Sequence, residues 1–431
     1  MKFKLLLLIT ILLTACTESN DLSTTDDVNP SSSSPNILLI IADDLGKDAA
    51  NGFSEGSIKP STPNIDAIRN TGLSFTNFWS YPTCSPTRAS ILTGKYGYRT
   101  GVKWASDEIN ISEKSLQQYI NEETNDKYAT AIVGKWHLSG NSSTFNPEVM
   151  GIDYYAGLIR GEAQSYYNWL LTEDGAGTIE TEYATTKFTD IATQWIDQQE
   201  KPWFLWLAYN APHTPFHVPP SEMHSQGNLA PFSSGMDETP YYMAAIEAMD
   251  YQIGQLLENM TEAERNNTII IFIGDNGTPN EVVQSPFNFS TAKGSLHQGG
   301  INVPMFISGN GVTRSGIDEN LITSSDLFST IAQVAGVSSS EINDSKSFKN
   351  LLSQSETIRN FQYSEKDDGT NSIWVISDGN YKLFKNANGN EEFYHLSNDP
   401  YEQVNLLNGT LSPTENSAKA TLESELSNIR N

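Results

Sequence analysis

Three short apolar runs dominate the hydrophobic pattern, and each ends on polar residues. Asn36-Ile-Leu-Leu-Ile-Ile41 leads into Asp43-Asp44, Trp203-Phe-Leu-Trp-Leu-Ala-Tyr209 into Asn210-Ala-Pro-His213, and Thr268-Ile-Ile-Ile-Phe-Ile273 into Gly274-Asp275-Asn276. Unbroken runs of this length suit strands buried on both faces, as in a parallel sheet covered by helices. Segments with helical spacing lie between them, for example 187–198 and 242–260. The pattern predicts an α/β fold: a large mixed, mostly parallel sheet sandwiched by helices. In such sheets ligands bind beyond the carboxyl ends of the strands. Asp43, Asp44, His213, Asp275 and Asn276 are therefore expected to converge, although more than half the sequence separates them.

From about residue 356 the pattern changes. Short runs at 371–376, 381–384 and 392–396 are separated by Asp-Gly and Asn-Gly turn signals, and a helical stretch covers 417–429. This predicts a smaller antiparallel α+β subdomain over 356–431, after a main domain over 35–355.

The amino-terminal end reads differently. Lys2 and Lys4 precede an apolar run over 5–13 and small residues before Cys16. The run is well short of the roughly 20 residues a membrane-spanning helix needs. Residues 1–15 read as a secretory signal, and Cys16 at the expected cleavage point resembles the lipidated cysteine of a bacterial lipoprotein; an ordinary signal peptide with an incidental cysteine is the alternative. Residues 16–34, rich in Ser, Thr, Asp and Asn, are expected to form a disordered tether. The mature chain would be exported and lipid-anchored to a bacterial membrane, periplasmic or at the cell surface.

Composition narrows the partners. The net charge of −26 deepens on loss of the signal, which carries two lysines and no acid. Such a chain repels a phosphate backbone, which argues against nucleic acid as a partner. Cys16 and Cys84 are its two cysteines, and neither reads as half of a disulfide.

Cys84 lies in Cys84-Ser-Pro86-Thr-Arg88, followed by Ala-Ser-Ile-Leu-Thr-Gly94. Pro86 suits the first turn of a helix running towards Leu92, which places Cys84 at or near its start. Free N–H groups there favour an anion, and Arg88 lies one turn along on the same face. Asp43, Asp44, Asp275 and Asn276 offer only oxygen, which suits Ca²⁺ or Mg²⁺ rather than zinc.

The Cys-x-Pro-x-Arg element and its extension resemble those of the type I, formylglycine-dependent sulfatases of the alkaline phosphatase superfamily. Gly134-Lys135-Trp136-His137, Pro212-His213 and Lys293-Gly294 match further elements of that family in order. The resemblance implies an alkaline phosphatase-like fold and oxidation of Cys84 to formylglycine by a maturation enzyme. It implies a cation, usually calcium, on Asp43, Asp44, Asp275, Asn276 and residue 84, with Asp275 also a possible proton acceptor. Arg88, Lys135 and His137 would hold the modified residue. His213 and Lys293 would serve the sulfate and leaving oxygen, with His213 as general acid.

One element departs from the family, which commonly carries an acid and an arginine where this chain has Gln298 and Asn302. A family ion pair replaced by an amide hydrogen-bond pair is the expectation. Arg160 and His217 are weaker substrate-binding candidates; His224 and His395 read as structural. An exported sulfatase implies a sulfated carbohydrate substrate, and Tyr154, Tyr155, Tyr166, Tyr167 and Trp169 are candidate sugar-stacking faces. A phosphoester or phosphonate hydrolase of the same superfamily and an inactive surface glycan-binding protein are the rival readings.

Overall fold

The computed structural model describes residues 34–140 and 142–431. The signal segment, Cys16 and nearly all of the tether lie outside the described residues. Within the first strand, β1 (Asn36–Asp43), alternate residues enter two different cores. Ile37, Leu39 and Ile41 pack with Ile91 and Leu92 of helix α1 (Cys84–Thr93) on one face. Leu38, Ile40 and Ala42 pack on the other with Phe188 of helix α2 (Ala184–Asp197) and Met249 of helix α3 (Thr239–Asn259). Burial on both faces is why this segment reads as a continuous apolar run.

The sheet holds ten strands. After β1 come β2 (Leu73–Phe75), β3 (Ala129–Lys135), β4 (Tyr154–Leu158), β5 (Trp169–Glu173), β6 (Ala176–Glu180), β7 (Trp203–Pro212), β8 (Thr268–Gly274), β9 (Met305–Gly309) and β10 (Gly316–Asp318). Their spatial order is β10-β2-β9-β8-β1-β7-β3-β4-β5-β6. The central strands β8, β1, β7, β3 and β4 are mutually parallel, and antiparallel pairings flank them. The expected mixed sheet between helices is therefore present. Most of the remaining strands escape an apolar-run reading because they are short or, like β6, largely exposed.

Pairing between β1 and β7 is regular to Ile41↔Ala208 and then slips, so that Asp43 faces Pro212. The slip falls where the polar residues begin, and it carries the chain towards His213.

The small antiparallel sheet forms from β11 (Gln362–Asp367), β12 (Ser372–Ser377), β13 (Tyr381–Asn386) and β14 (Glu391–His395). Helix α4 (Pro413–Arg430) begins earlier than its apolar spacing indicates, because Ser412 and Glu415 form a reciprocal cap. Strand β11 carries no apolar signature because polar side chains join it to the large sheet's layer. Gln362 donates to the carbonyls of Asn77 and Ile322, and Ser364 to that of Ser80. A second tie is ionic: buried Lys382 pairs with Glu402 at 2.6 Å and donates to the Leu296 carbonyl at 2.6 Å. Glu402 in turn accepts from the Gln298 backbone N–H. These ties make residues 34–431 one compact unit.

Gly134 shows how tightly the central strands meet. Its φ is +106°, and a Cβ there would lie 1.9 Å from the Ala208 carbonyl oxygen. Gly134→Ala is expected to cost about 2 kcal/mol or more of stability, measured as a lowered urea midpoint with an unchanged slope.

Candidate active site

The carboxyl ends of β1, β3, β7 and β8 bring Asp43, Asp44, Lys135, His213, Asp275 and Asn276 together, and α1 delivers Cys84 and Arg88 from above. Cys84 is the first residue of α1, with Thr83 as its N-cap and Pro86 in the first turn. A short Pro-compatible start followed by Arg88 one turn on is the local reason that thiol and guanidinium face the same sheet edge.

Arg88 is completely buried and acts as the hub. Its Nε and one terminal nitrogen donate to Asp275 Oδ2 at 3.1 and 2.8 Å, and the other terminal nitrogen donates to the Lys135 carbonyl at 2.6 Å. Lys135 Nζ pairs with Asp43 and lies 3.5 Å from Cys84 Sγ. On the opposite side His137 Nδ1 stands 3.1 Å from Sγ. Lys293 Nζ binds Asp44 Oδ2 at 2.5 Å, and His213 Nε2 approaches the same oxygen at 3.6 Å. His213 Nδ1 meets the Thr214 carbonyl at 2.8 Å; a carbonyl only accepts, so Nδ1 carries a proton and Nε2 is the nitrogen turned to the site.

Two of these residues hold left-handed backbone conformations that non-glycine residues seldom adopt: Asp44 at φ +69° and His137 at φ +56°. Hydrogen bonds secure both. The Asp44 N–H donates to Asp275 Oδ1 at 3.1 Å, and its carbonyl accepts from Tyr242 at 2.8 Å. The His137 N–H donates to the Ile159 carbonyl at 3.1 Å. Room for the imidazole comes from Gly161, where a Cβ would lie 2.2 Å from His137 Nε2.

The donor set fits a hard divalent cation. Asp43 Oδ1 and Asn276 Oδ1 are buried acceptors with no hydrogen-bond partner. Oxygens of Asp43 and Asp275 and the sulfur of Cys84 lie within 4.8 Å of one another, as do atoms of Asp43, Asp44 and His213. Burial, resisted by Lys135 and reinforced by Asp275 and Asp44, raises the Asp43 carboxyl to about 7. A carboxylate stripped of water is what a bound cation stabilises. At Asp44 burial pushes the carboxyl up, but Lys293, helped by Lys135 and the Asn276 amide, outweighs it and holds the carboxyl well below its usual range. Burial raises the Cys84 thiol to about 11 despite Lys135, so the unmodified side chain is a poor nucleophile at neutral pH. Burial, aided by Lys135 and Arg88, keeps His137 neutral.

A cleft of about 510 Å³ opens over these groups, lined by His137, His213, Ala105, Ser106, Arg160 and Glu162. Arg160 is thus placed where a substrate would lie. His217 is not: its ring stacks on Tyr166 at 3.8 Å, and its two nitrogens meet the Tyr183 hydroxyl and the Pro215 carbonyl. Tyr155, Tyr166 and Trp169 are core residues rather than sugar faces. The two amides that replace the family's charged pair do bond, Asn302 Nδ2 to Gln298 Oε1 at 2.8 Å, but they line a different cleft, beside Lys47 and Tyr401. Sequence reasoning missed Tyr242, which supports Asp44, and Gly161, which admits His137. Neither belongs to a local motif; only the folded arrangement assigns their roles.

The sulfatase family model matches residues 35–337. YdeN of Escherichia coli K12, an uncharacterized sulfatase, is 28% identical over 363 residues, covering 70% of this chain and 63% of its own. Human N-acetylgalactosamine-6-sulfatase is 29% identical over 344 residues, covering 70% and 62%. The match spans a little under two thirds of the length of these curated relatives. The crystal structure of Ps i-CgsB in complex with k-i-k-neocarrahexaose is 25% identical, covers 92% of each chain and superimposes with a TM-score of 0.77. With the family model spanning β1, β8, the Cys84 helix and Lys293, the chain belongs to the sulfatase family.

Proposed function

We propose that the protein hydrolyses sulfate esters on carbohydrate, through a formylglycine made from Cys84 and a divalent cation held by Asp43, Asp44, Asp275, Asn276 and residue 84. The observation that carries this reading is the balance of charge around Cys84. Three carboxylates, Asp43, Asp44 and Asp275, face three cations, Arg88, Lys135 and Lys293, while two buried oxygens stand unpaired. Adding a dication leaves a net charge of about +2, matched to a sulfuryl group and its developing negative charge. The hydrated aldehyde would supply two hydroxyls on one carbon, one to attack sulfur and one to expel sulfate, while the cation would draw charge from the sulfuryl oxygens.

The chain's own side chains supply the rest. Lys135, 3.5 Å from Cys84 Sγ, and Lys293, bound to Asp44, would offset the charge of a sulfate held at residue 84. His137, neutral and 3.1 Å from the residue-84 side chain, is placed to accept a proton there. Burial, only partly opposed by Asp44, lowers His213 to about 3, so Nε2 is unprotonated in the free site. An arriving sulfate ester brings negative charge that raises its proton affinity. His213 then protonates the leaving oxygen only with substrate in place. Arg88 keeps Asp275 and the Lys135 backbone in register.

Sulfated carbohydrate is the substrate class because Arg160 and Glu162 extend the cleft beyond the reacting group. The neighbour Ps i-CgsB, solved with a neocarrahexaose, provides a second support. The same reading places the mature chain outside the cytoplasm on a lipid anchor at Cys16. Among the described residues no helix is long and apolar enough to cross a membrane.

Four outcomes test these assignments. Mass spectrometry of the Cys84 peptide shows formylglycine after co-expression with a maturation enzyme, and Cys84→Ala lowers sulfate release on the order of 10⁴-fold at unchanged melting temperature; full activity from unmodified Cys84 protein contradicts the mechanism. Lys293→Ala lowers kcat about 10²-fold towards aryl sulfate, and a wild-type preference for aryl phosphate would instead assign a phosphoester hydrolase. Chelation lowers both activity and melting temperature, and Ca²⁺ or Mg²⁺ restores both. Cys16→Ala moves the protein from the membrane to the soluble fraction of its bacterial host.

A further inference from the structure

The reaction centre opens on two sides. Lys293, which binds Asp44 in the site, also lines a second cleft of about 550 Å³ that Arg160 does not reach, together with Trp104, Asn280, Phe289, His297 and Asn386. The two clefts share a wall: Ala105 and Ser106 line the first, and Trp104 lines the second. That wall is fixed to the start of α1, because Ser85 Oγ donates to the Ala105 carbonyl at 2.9 Å. Asp107 holds it from the other end by accepting from the N–H groups of Lys103 and Trp104.

The lining has the chemistry of a sugar site. Phe289 is 76% exposed, an unusual placement for a phenylalanine with no packing role. Trp104 sits against Gly294, next to Lys293, and its ring carries the Lys366 ammonium at 4.6 Å. Asn280, Asn386 and Asn390 set amides around these rings, and Lys293 and Lys366 add cations. Aromatic faces ringed by amides and cations are what a sulfated pyranose, apolar on its C–H faces and polar at its rim, requires.

We propose that this second cleft binds a sugar ring adjoining the sulfated one, so that the substrate is an oligosaccharide lying across both clefts rather than a monosaccharide. The inference rests on the sulfatase reading above and adds its substrate size. The sulfated unit sits between Lys293 and His213, with one neighbour towards Arg160 and another against Phe289 and Trp104.

Calorimetry on the Cys84→Ala protein tests it, with sulfated di-, tetra- and hexasaccharides of carrageenan, fucan and glycosaminoglycan type as probes. The expected result is an affinity that rises about tenfold with chain length for the preferred sugar, and a loss of that gain in Cys84→Ala/Phe289→Ala and in Cys84→Ala/Asn280→Ala. Ile58→Ala, exposed and outside both clefts, serves as the control and keeps the length dependence. In turnover with formylglycine-bearing protein, Phe289→Ala raises KM for the hexasaccharide by a similar factor with little change in kcat. Equal affinity for di- and hexasaccharide, a length gain that survives Phe289→Ala, or no binding by any chain overturns the proposal. Length-dependent binding without sulfate release by the wild type would instead overturn the hydrolytic reading and leave the subsite standing.

Discussion

A guanidinium with no exposure to solvent holds this active site together. Removing Arg88 from water costs several kcal/mol, and only good geometry with its partners offsets that. The structure supplies it: two nitrogens on one oxygen of Asp275, a third on the backbone of β3. One side chain thus ties helix α1 to two separate strands. The thiol at position 84, the Asp275 end of β8 and the lysine end of β3 are positioned by a single charge.

Around that hub the site is arranged against local preference. Asp44 and His137 occupy backbone conformations that cost of order 1–3 kcal/mol each, and two carboxylate or amide oxygens are left without donors. Buried charges of both signs crowd into one pocket. Such an arrangement persists only because the ten-stranded sheet and its two apolar cores over-determine the backbone that carries it. The stability of β1 and its neighbours is what keeps reactive groups where water and local propensity would not.

The parts of this structure that were legible in the sequence share a physical cause. Strands β1, β7 and β8 are buried on both faces, so their sequences are unbroken apolar runs and their polar ends mark the sheet edge. The Cys84 helix was legible because Pro86 and Arg88 have positional meaning at a helix start. Strand β11 was not, since three of its four buried residues are polar and find their partners far away in the sequence: Gln362 and Ser364 on distant carbonyls, Glu365 on Arg430 and the Tyr98 N–H. His217 drew attention through its neighbours in sequence, yet its partners are aromatic rings from another segment. Tyr155, Tyr166 and Trp169 suggested sugar faces, whereas the exposed aromatic beside the site, Phe289, lies in a polar loop without any pattern.

The ion pair between Lys382 and Glu402 gives the small sheet a role in the architecture of the site. The family model ends at residue 337, but the segment that follows Lys293 is pinned from strand β13. The same strand ends at Asn386, on the wall of the second cleft. Replacement of this sheet would therefore change the anchoring of the Lys293 loop and the lining of the second cleft in one step. The two features are mechanically coupled through one strand, and a swap that preserves one must carry the other with it.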